Sequence, residues 1–354
     1  MALNFQFSEE RSLSLRDNGY DLVRLVLAAM VVYSHSYAVG GYGAEPLARW
    51  SKEHLIMGEL GVLGFFALSG FLVSSSGERS RSLVSYFVKR ARRIFPGFWV
   101  CLVVTAFVFA PLIWIIGGRS LSAFPWAEPQ GAASYVTHNA LLQVNQHSIG
   151  DVLSGAAWPG SINGSLWSLF PEFGCYLAVA VLVFGGALTR SRWLLAGVAV
   201  GAFIDHIVMI VVGRDAFPGI PSFYAFTNWS PYLTAFAVGA CAYVWREHLV
   251  FSWKTVGVLG FLCLVTLKFG GFKLVSPLLV AALVLSAGSC FKLRLKTDLS
   301  YGLYIYSFPC QQLLFALGLG ATAVPVFVVG SIALSAGCAW LSWSFVERPA
   351  LGRG

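Results

Sequence analysis

A histidine eleven residues after an arginine, both within one apolar run, is the arrangement in this chain best suited to proton transfer. At 100° per residue, Arg24 and His35 differ by about three turns plus 20°, a rise of roughly 16.5 Å. With Asp21 they form a stripe on one helical face, joining a charged end to an imidazole deep in the run. A neutral imidazole accepts a proton from an attacking hydroxyl near cellular pH. The structural alternative is a histidine hydrogen-bonded between helices, with Arg24 as a snorkelling anchor. Ser34 and Ser36 flank His35 but point to other faces.

Glu172, in the run Trp167-Ser168-Leu169-Phe170-Pro171-Glu172, is a second candidate, because a carboxylate in apolar surroundings must be neutral or paired. Arg24 or His35 are the expected partners, so Glu172 either orients the histidine or forms a structural ion pair. A block of six cations, Arg79, Arg81, Lys89, Arg90, Arg92 and Arg93, precedes Ile94-Phe95-Pro96, where an apolar helix restarts. Arginine forks bind phosphates bidentately, so an anionic cofactor such as coenzyme A suits this block; membrane anchoring and lipid headgroups suit it too. Asp205 and His206 fall toward one end of an apolar run, where they contact substrate or face water. His138, His147 and Asp151 lack metal-ligand spacing. Ser69 as a nucleophile would need a base and a strained elbow, and no G-x-S-x-G, Walker A or dinucleotide fingerprint occurs.

These groups need a membrane scaffold. The 354 residues are 57% hydrophobic and 11% charged, with mean hydropathy +0.72, where soluble domains carry about 25% charge. The composition predicts an all-α polytopic membrane protein of ten spans, near Asp21–Val39, Ile56–Ser76, Pro96–Gly117, Gly164–Leu188, Trp193–Val212, Ser230–Trp245, Trp253–Phe269, Leu274–Phe291, Ser300–Gly318 and Val324–Phe345. With the N-terminus inside, inner segments hold 18 of the 24 Lys and Arg and outer ones 6, so both termini are expected in the cytoplasm. The net charge of +8 therefore reports topology, and nucleic acid is not an expected partner. Met1 to Tyr20 has no cleavable signal pattern. The seven cysteines show no metal or redox spacing and read as packing thiols.

Residues 118–163 form the longest connection, on the outer side, with Trp126 and Trp158 among prolines and glycines; it is a lid, part of a polymer cleft, or a surface loop. Asn163-Gly164-Ser165 and Asn228-Trp229-Ser230 match glycosylation acceptors. Without repeats or low-complexity linkers, residues 1–354 read as one domain.

Five segments in order resemble membrane acyltransferase family 3. They are Arg24 with His35, Phe65-Phe66-Ala67-Leu68-Ser69-Gly70-Phe71-Leu72, Lys89 to Pro96, Ser165 to Tyr176, and Ser300-Tyr301-Gly302-Leu303-Tyr304-Ile305-Tyr306-Ser307-Phe308-Pro309. The terminal Val346-Glu347-Arg348-Pro349 is also typical. One departure is Ser307, where relatives often carry histidine, so it receives no role.

The resemblance implies an O-acetyltransferase of a bacterial cytoplasmic membrane, acting on surface polysaccharide or related acceptors. His35 would be the base and Arg24 its essential partner, with Glu172 completing the catalytic set. Arg90, Arg93, Lys89, Ser69 and Tyr301 are assigned to acetyl-CoA, and Trp167, Asn163 and Asp205 to the glycan. Membrane lipids, coenzyme A and a glycan or lipid-linked glycan are the expected partners, and no metal is expected. The alternative is a transporter or flippase, since buried charges also mark transport paths.

Overall fold

The computed structural model describes residues 11–12, 18–186, 192–212, 221–291, 293, 295 and 297–352. Arg16, Arg190, Arg214, Lys292, Arg294, Lys296 and Arg353, all used in the charge count, lie outside them. The chain is helical almost throughout: α1 Tyr20–Val39, α2 Pro46–Trp50, α3 Met57–Glu78, α4 Leu83–Val104, α5 Ala110–Ile116, α6 Ala132–Asn139, α7 Leu169–Phe184, α8 Arg192–Val212, α9 Pro221–Val244, α10 Trp253–Phe269, α11 Phe272–Cys290, α12 Ser300–Ala316 and α13 Val324–Ser342. Among the described residues, Arg11–Ser12 and Val250–Phe251 form a two-residue antiparallel ladder.

Seven helices or fused helices are long and apolar enough to cross a bilayer: Tyr20–Val39, Met57–Glu78, Leu83–Ile116, Leu166–Phe184, Arg192–Val212, Phe272–Cys290 and Val324–Ala350. The other three expected spans coincide with α9, α10 and α12. The protein is thus a multi-pass membrane protein.

The third expected span begins thirteen residues too late. Ser82 caps α4 by accepting from the Ser85 amide at 3.1 Å, while the Ser85 hydroxyl accepts from the Ser82 amide at 3.3 Å. The helix therefore starts at Leu83, contains most of the basic block, and runs through Pro96 and a π turn at Thr105–Phe109 into α5. Proline inside a helix removes one backbone bond without ending it here. Next to it, Gly97 leaves room for the Tyr301 ring, which a Cβ would meet at 2.9 Å.

Helix α3 lies at the centre, packed on α1, α7, α9 and α11, while α1 also packs on α12 and α13. Small residues permit these approaches, as in membrane helix pairs generally. A Cβ on Gly70 would stand 2.0 Å from the Phe236 carbonyl oxygen, and one on Gly239 2.0 Å from that of Ala67. On the other side of α3, Gly61 and Gly64 lie against Leu27 of α1. Gly70→Ala must therefore separate two backbones, and overpacking of this kind costs typically 1–3 kcal/mol. The expected result is a lower thermal midpoint in detergent, while Gly257→Ala, where the added methyl meets open space, leaves it unchanged.

Residues 118–163 fold into an ordered cap. Arg119 pairs with Asp151 at 2.8 Å and lies over the Trp114 ring. Asn139 and Gln146 satisfy turn backbone groups, and Gln312 of α12 donates to the carbonyls of Trp158 and Ser161 at 2.8 and 2.9 Å. Trp126 stacks on Phe107 and meets Phe124 edge-on, whereas Trp158 stays 46% exposed.

Candidate active site

A cavity opens among α1, α3, α4, α7 and α12, and its wall carries Arg24, Ser69, Arg90, Arg93, Glu172, Tyr176, Tyr301 and Tyr304. Six of these carry roles expected from the sequence. Of the basic block, Arg90 and Arg93 line the cavity, whereas Lys89, although one turn before Arg93, is exposed and donates to Ser80. Lys89 is not part of the cavity wall.

Two guanidiniums converge on one carboxylate that the sequence reading did not single out. Asp298 Oδ2 accepts from Arg24 Nη2 at 2.8 Å and from Arg93 Nη2 at 2.7 Å. Its Oδ1 accepts from the Ser300 hydroxyl at 2.6 Å and the Ser300 amide at 3.3 Å. Asp21 takes a further bond from Arg24 at 2.9 Å. Burial pushes the Asp298 carboxyl up, but Arg93, Arg24 and the Ser300 bonds outweigh it and hold it well below the usual carboxylate range. Asp298 thus fastens α1 and α4 to the start of α12. A charge immediately before Ser300-Tyr301 was the one available signal.

Not all the cationic donors are consumed. The Nε atoms of Arg24 and Arg90 are buried without a partner, on two arginines that both line the cavity. Arg90 gives one bond to Ser76 at 3.2 Å and lies over the Tyr176 ring. Unspent buried donors of this type fit the phosphates of a nucleotide.

Glu172 has other partners than expected. Its Oε1 accepts from Ser69 at 2.6 Å and from Tyr176 at 2.7 Å, and neither Arg24 nor His35 bonds to it. Tyr176, four residues on along α7, was legible from i,i+4 spacing; Ser69 on α3 was not. The arrangement leaves Ser69 as a donor to a carboxylate, not to a base poised to activate it.

His35 stands outside the cavity wall. Its ring meets Phe308 edge-on, with centroids 5.1 Å apart, and its Nδ1 is buried without a partner. Phe308 lies one turn along α12 from Tyr304, which does line the cavity, bonds to Ser168 at 2.7 Å and meets the Phe65 ring edge-on. One helical turn of α12, about 6 Å, therefore separates the cavity from the histidine. Ser36 does not serve His35: it donates to the Val32 carbonyl and accepts from Gln311.

The residues assigned to acceptor lie apart from the cavity wall. Trp167 is half-exposed and meets Tyr232 edge-on. Asn163 is 1% exposed, and its amide donates to the Ile305 carbonyl at 2.9 Å, so it pins the cap to α12 and is no accessible glycosylation acceptor. Asp205 is half-buried on α8 beside buried His206, whose Nε2 meets the Lys273 carbonyl oxygen at 2.8 Å. Tyr301 combines cavity lining with a bond to the Ile94 carbonyl at 2.8 Å. All seven cysteines are free, and among the described residues no group of His, Cys, Asp and Glu is placed to hold a metal.

A family model described as an acyltransferase domain matches residues 17–343. The O-acetyl transferase of Shigella phage Sf6 is 29% identical, covering 96% of this chain and 97% of its own. Nodulation protein 10 of Rhizobium leguminosarum bv. viciae is 27% identical over 97% of this chain and 95% of its own. The exopolysaccharide production protein ExoZ of Rhizobium meliloti (strain 1021) is 26% identical over 87% and 94%. No solved structure matches.

Proposed function

Because the chain belongs to acyltransferase family 3, we propose that it is a membrane O-acetyltransferase carrying acetyl from cytoplasmic acetyl-CoA to a sugar hydroxyl of an extracytoplasmic glycan, such as lipopolysaccharide O-antigen or exopolysaccharide. The observation that supports this most is the polarity of the core: arginines with unspent donors line the cavity at one end of α1, and an unpartnered imidazole stands about 16.5 Å further along the same helix. That distance matches an extended pantetheine arm. The names of the relatives, one an O-acetyl transferase and one an exopolysaccharide production protein, accord with the acceptor class.

In this reading the chain spans a bacterial inner membrane ten times as a single domain, with both termini and the Arg24 end of the cavity in the cytoplasm. Arg24, Arg90 and Arg93 hold the donor's phosphates, and Tyr301 and Ser69 shape the cavity around its arm. Glu172 positions the Ser69 and Tyr176 hydroxyls and, through Tyr176, the Arg90 guanidinium. The thioester passes Phe65 and Tyr304 to reach His35. His35 takes the proton of the acceptor hydroxyl as its oxygen bonds to the acetyl carbonyl carbon; the carbon–sulfur bond breaks and coenzyme A leaves as thiolate. No covalent acyl-enzyme is required, because Ser69 is committed to Glu172 and lies on the donor side.

Mass spectrometry of the host's surface glycan, with and without the gene, tests the assignment. Loss of one acetyl ester per repeat on deletion, restored by the wild-type gene, is expected. An unchanged acetyl content would refute it.

A further inference from the structure

Glu59 of α3 is a carboxylate that the site described so far does not use. It is half-buried in a membrane-crossing helix, and among the described residues it makes no hydrogen bond or ion pair. An ionisable group kept inside a bundle at that cost marks a binding path more often than a packing site.

Its position continues the cavity. Glu59, Val62, Phe66, Ser69 and Val73 fall on one stripe of α3, and all but Glu59 line the cavity wall. Glu59 lies about 15 Å from Ser69 along the helix, away from the arginines. Its depth is fixed by its neighbour Gly58, where an added Cβ would stand 3.1 Å from the Ser34 hydroxyl of α1. Ser34 precedes His35, so Glu59 and the imidazole occupy one level of the bundle. Around it, the Tyr232 ring packs 5.5 Å from Phe66 and 5.3 Å edge-on to Trp167, and Tyr232 and Lys273 lie within electrostatic reach of the carboxylate.

An acceptor-only carboxylate near the half-exposed Trp167 ring, which buried Tyr232 backs, suits a pyranose: hydroxyls donate to the carboxylate, and the C–H face of the sugar rests on the indole. We propose that Glu59 and Trp167, the latter held in place by Tyr232, form the acceptor subsite, with one uncharged sugar ring whose free hydroxyl is turned toward His35. The hydroxyls beside the acylated one donate to Glu59, which makes this residue a determinant of which sugar is accepted. The inference rests on the acyl-transfer reading above.

The test uses full-length protein in proteoliposomes, radiolabelled acetyl-CoA, and host surface polysaccharide stripped of its esters by mild alkali. Glu59→Ala is expected to raise KM for the polysaccharide at least tenfold and leave KM for acetyl-CoA within twofold. Glu59→Gln, which keeps an acceptor oxygen, recovers part of the loss, and Trp167→Phe recovers more than Trp167→Ala. An unchanged polysaccharide KM in Glu59→Ala overturns the subsite. So does an equal rise in both KM values with a lowered thermal midpoint, which would make Glu59 a structural partner of Lys273. If the wild type transfers no label at all, the acyl-transfer reading itself fails, and the subsite with it.

Discussion

His35→Ala is expected to lower acetyl transfer at least a hundredfold, because general base catalysis by a positioned side chain contributes about 10²–10⁴ in rate, while the affinity for acetyl-CoA stays within twofold of wild type. The second half of that expectation comes from geometry. His35 is absent from the cavity wall, and its nearest ring contact is Phe308, one turn beyond the last cavity residue of α12. Truncation removes one edge-on contact and one unpartnered nitrogen, so the helix loses little packing. Single-turnover transfer with equilibrium binding of labelled acetyl-CoA separates the two quantities. A fall in both together would place the histidine in donor binding and remove it from proton transfer.

Asp298→Ala should do the reverse. It leaves the guanidiniums of Arg24 and Arg93 without the carboxylate that draws both within 2.8 Å, and unties α12 from α1 and α4. Acetyl-CoA binding is expected to weaken at least tenfold, with Asp298→Glu restoring part of it and the rate of transfer from bound donor changing less. The pH dependence has a definite sign. A carboxyl held below its ordinary value in the folded protein contributes stability that is complete above the unfolded value, about 3.9, and is lost as pH falls toward the folded one. The difference in thermal midpoint between wild type and Asp298→Asn should therefore stay constant from about pH 8 to 5 and narrow below that. A difference that narrowed near neutrality would mean that the carboxylate is not held by the two arginines.

The contrast between these variants reflects what a linear sequence can carry. Arg24 and His35 were placed on one face by helical periodicity alone, since both lie on one unbroken helix. Ser69, Arg90, Arg93, Glu172 and Tyr301 were assigned from residue type and resemblance, and the fold brings all five to one cavity. Lys89 lies one turn before Arg93 on the same helix, yet its side chain is exposed and bonds to Ser80, a direction that residue type and spacing do not reveal. Asp298 escaped notice because it lies between apolar runs, and its partners are 274 and 205 residues away. Glu59 carries no such signal, because it stands among Gly58, Gly61 and Gly64, glycines that pack closely on α1 and α11. Asn163, assigned to the glycan, is 1% exposed and pins the cap to the core, a burial that its polar type does not announce.

The central claim is that one bundle passes an acetyl group from donor on the inner face to acceptor on the outer. Inside-out vesicles carrying the full-length protein, with de-esterified host polysaccharide enclosed and labelled acetyl-CoA outside, measure this directly. Ester-linked label is expected on the enclosed polysaccharide in wild-type vesicles, and background label in His35→Ala vesicles that bind acetyl-CoA equally well. Background label with folded, donor-binding wild-type protein, or equal label in the two, would contradict it.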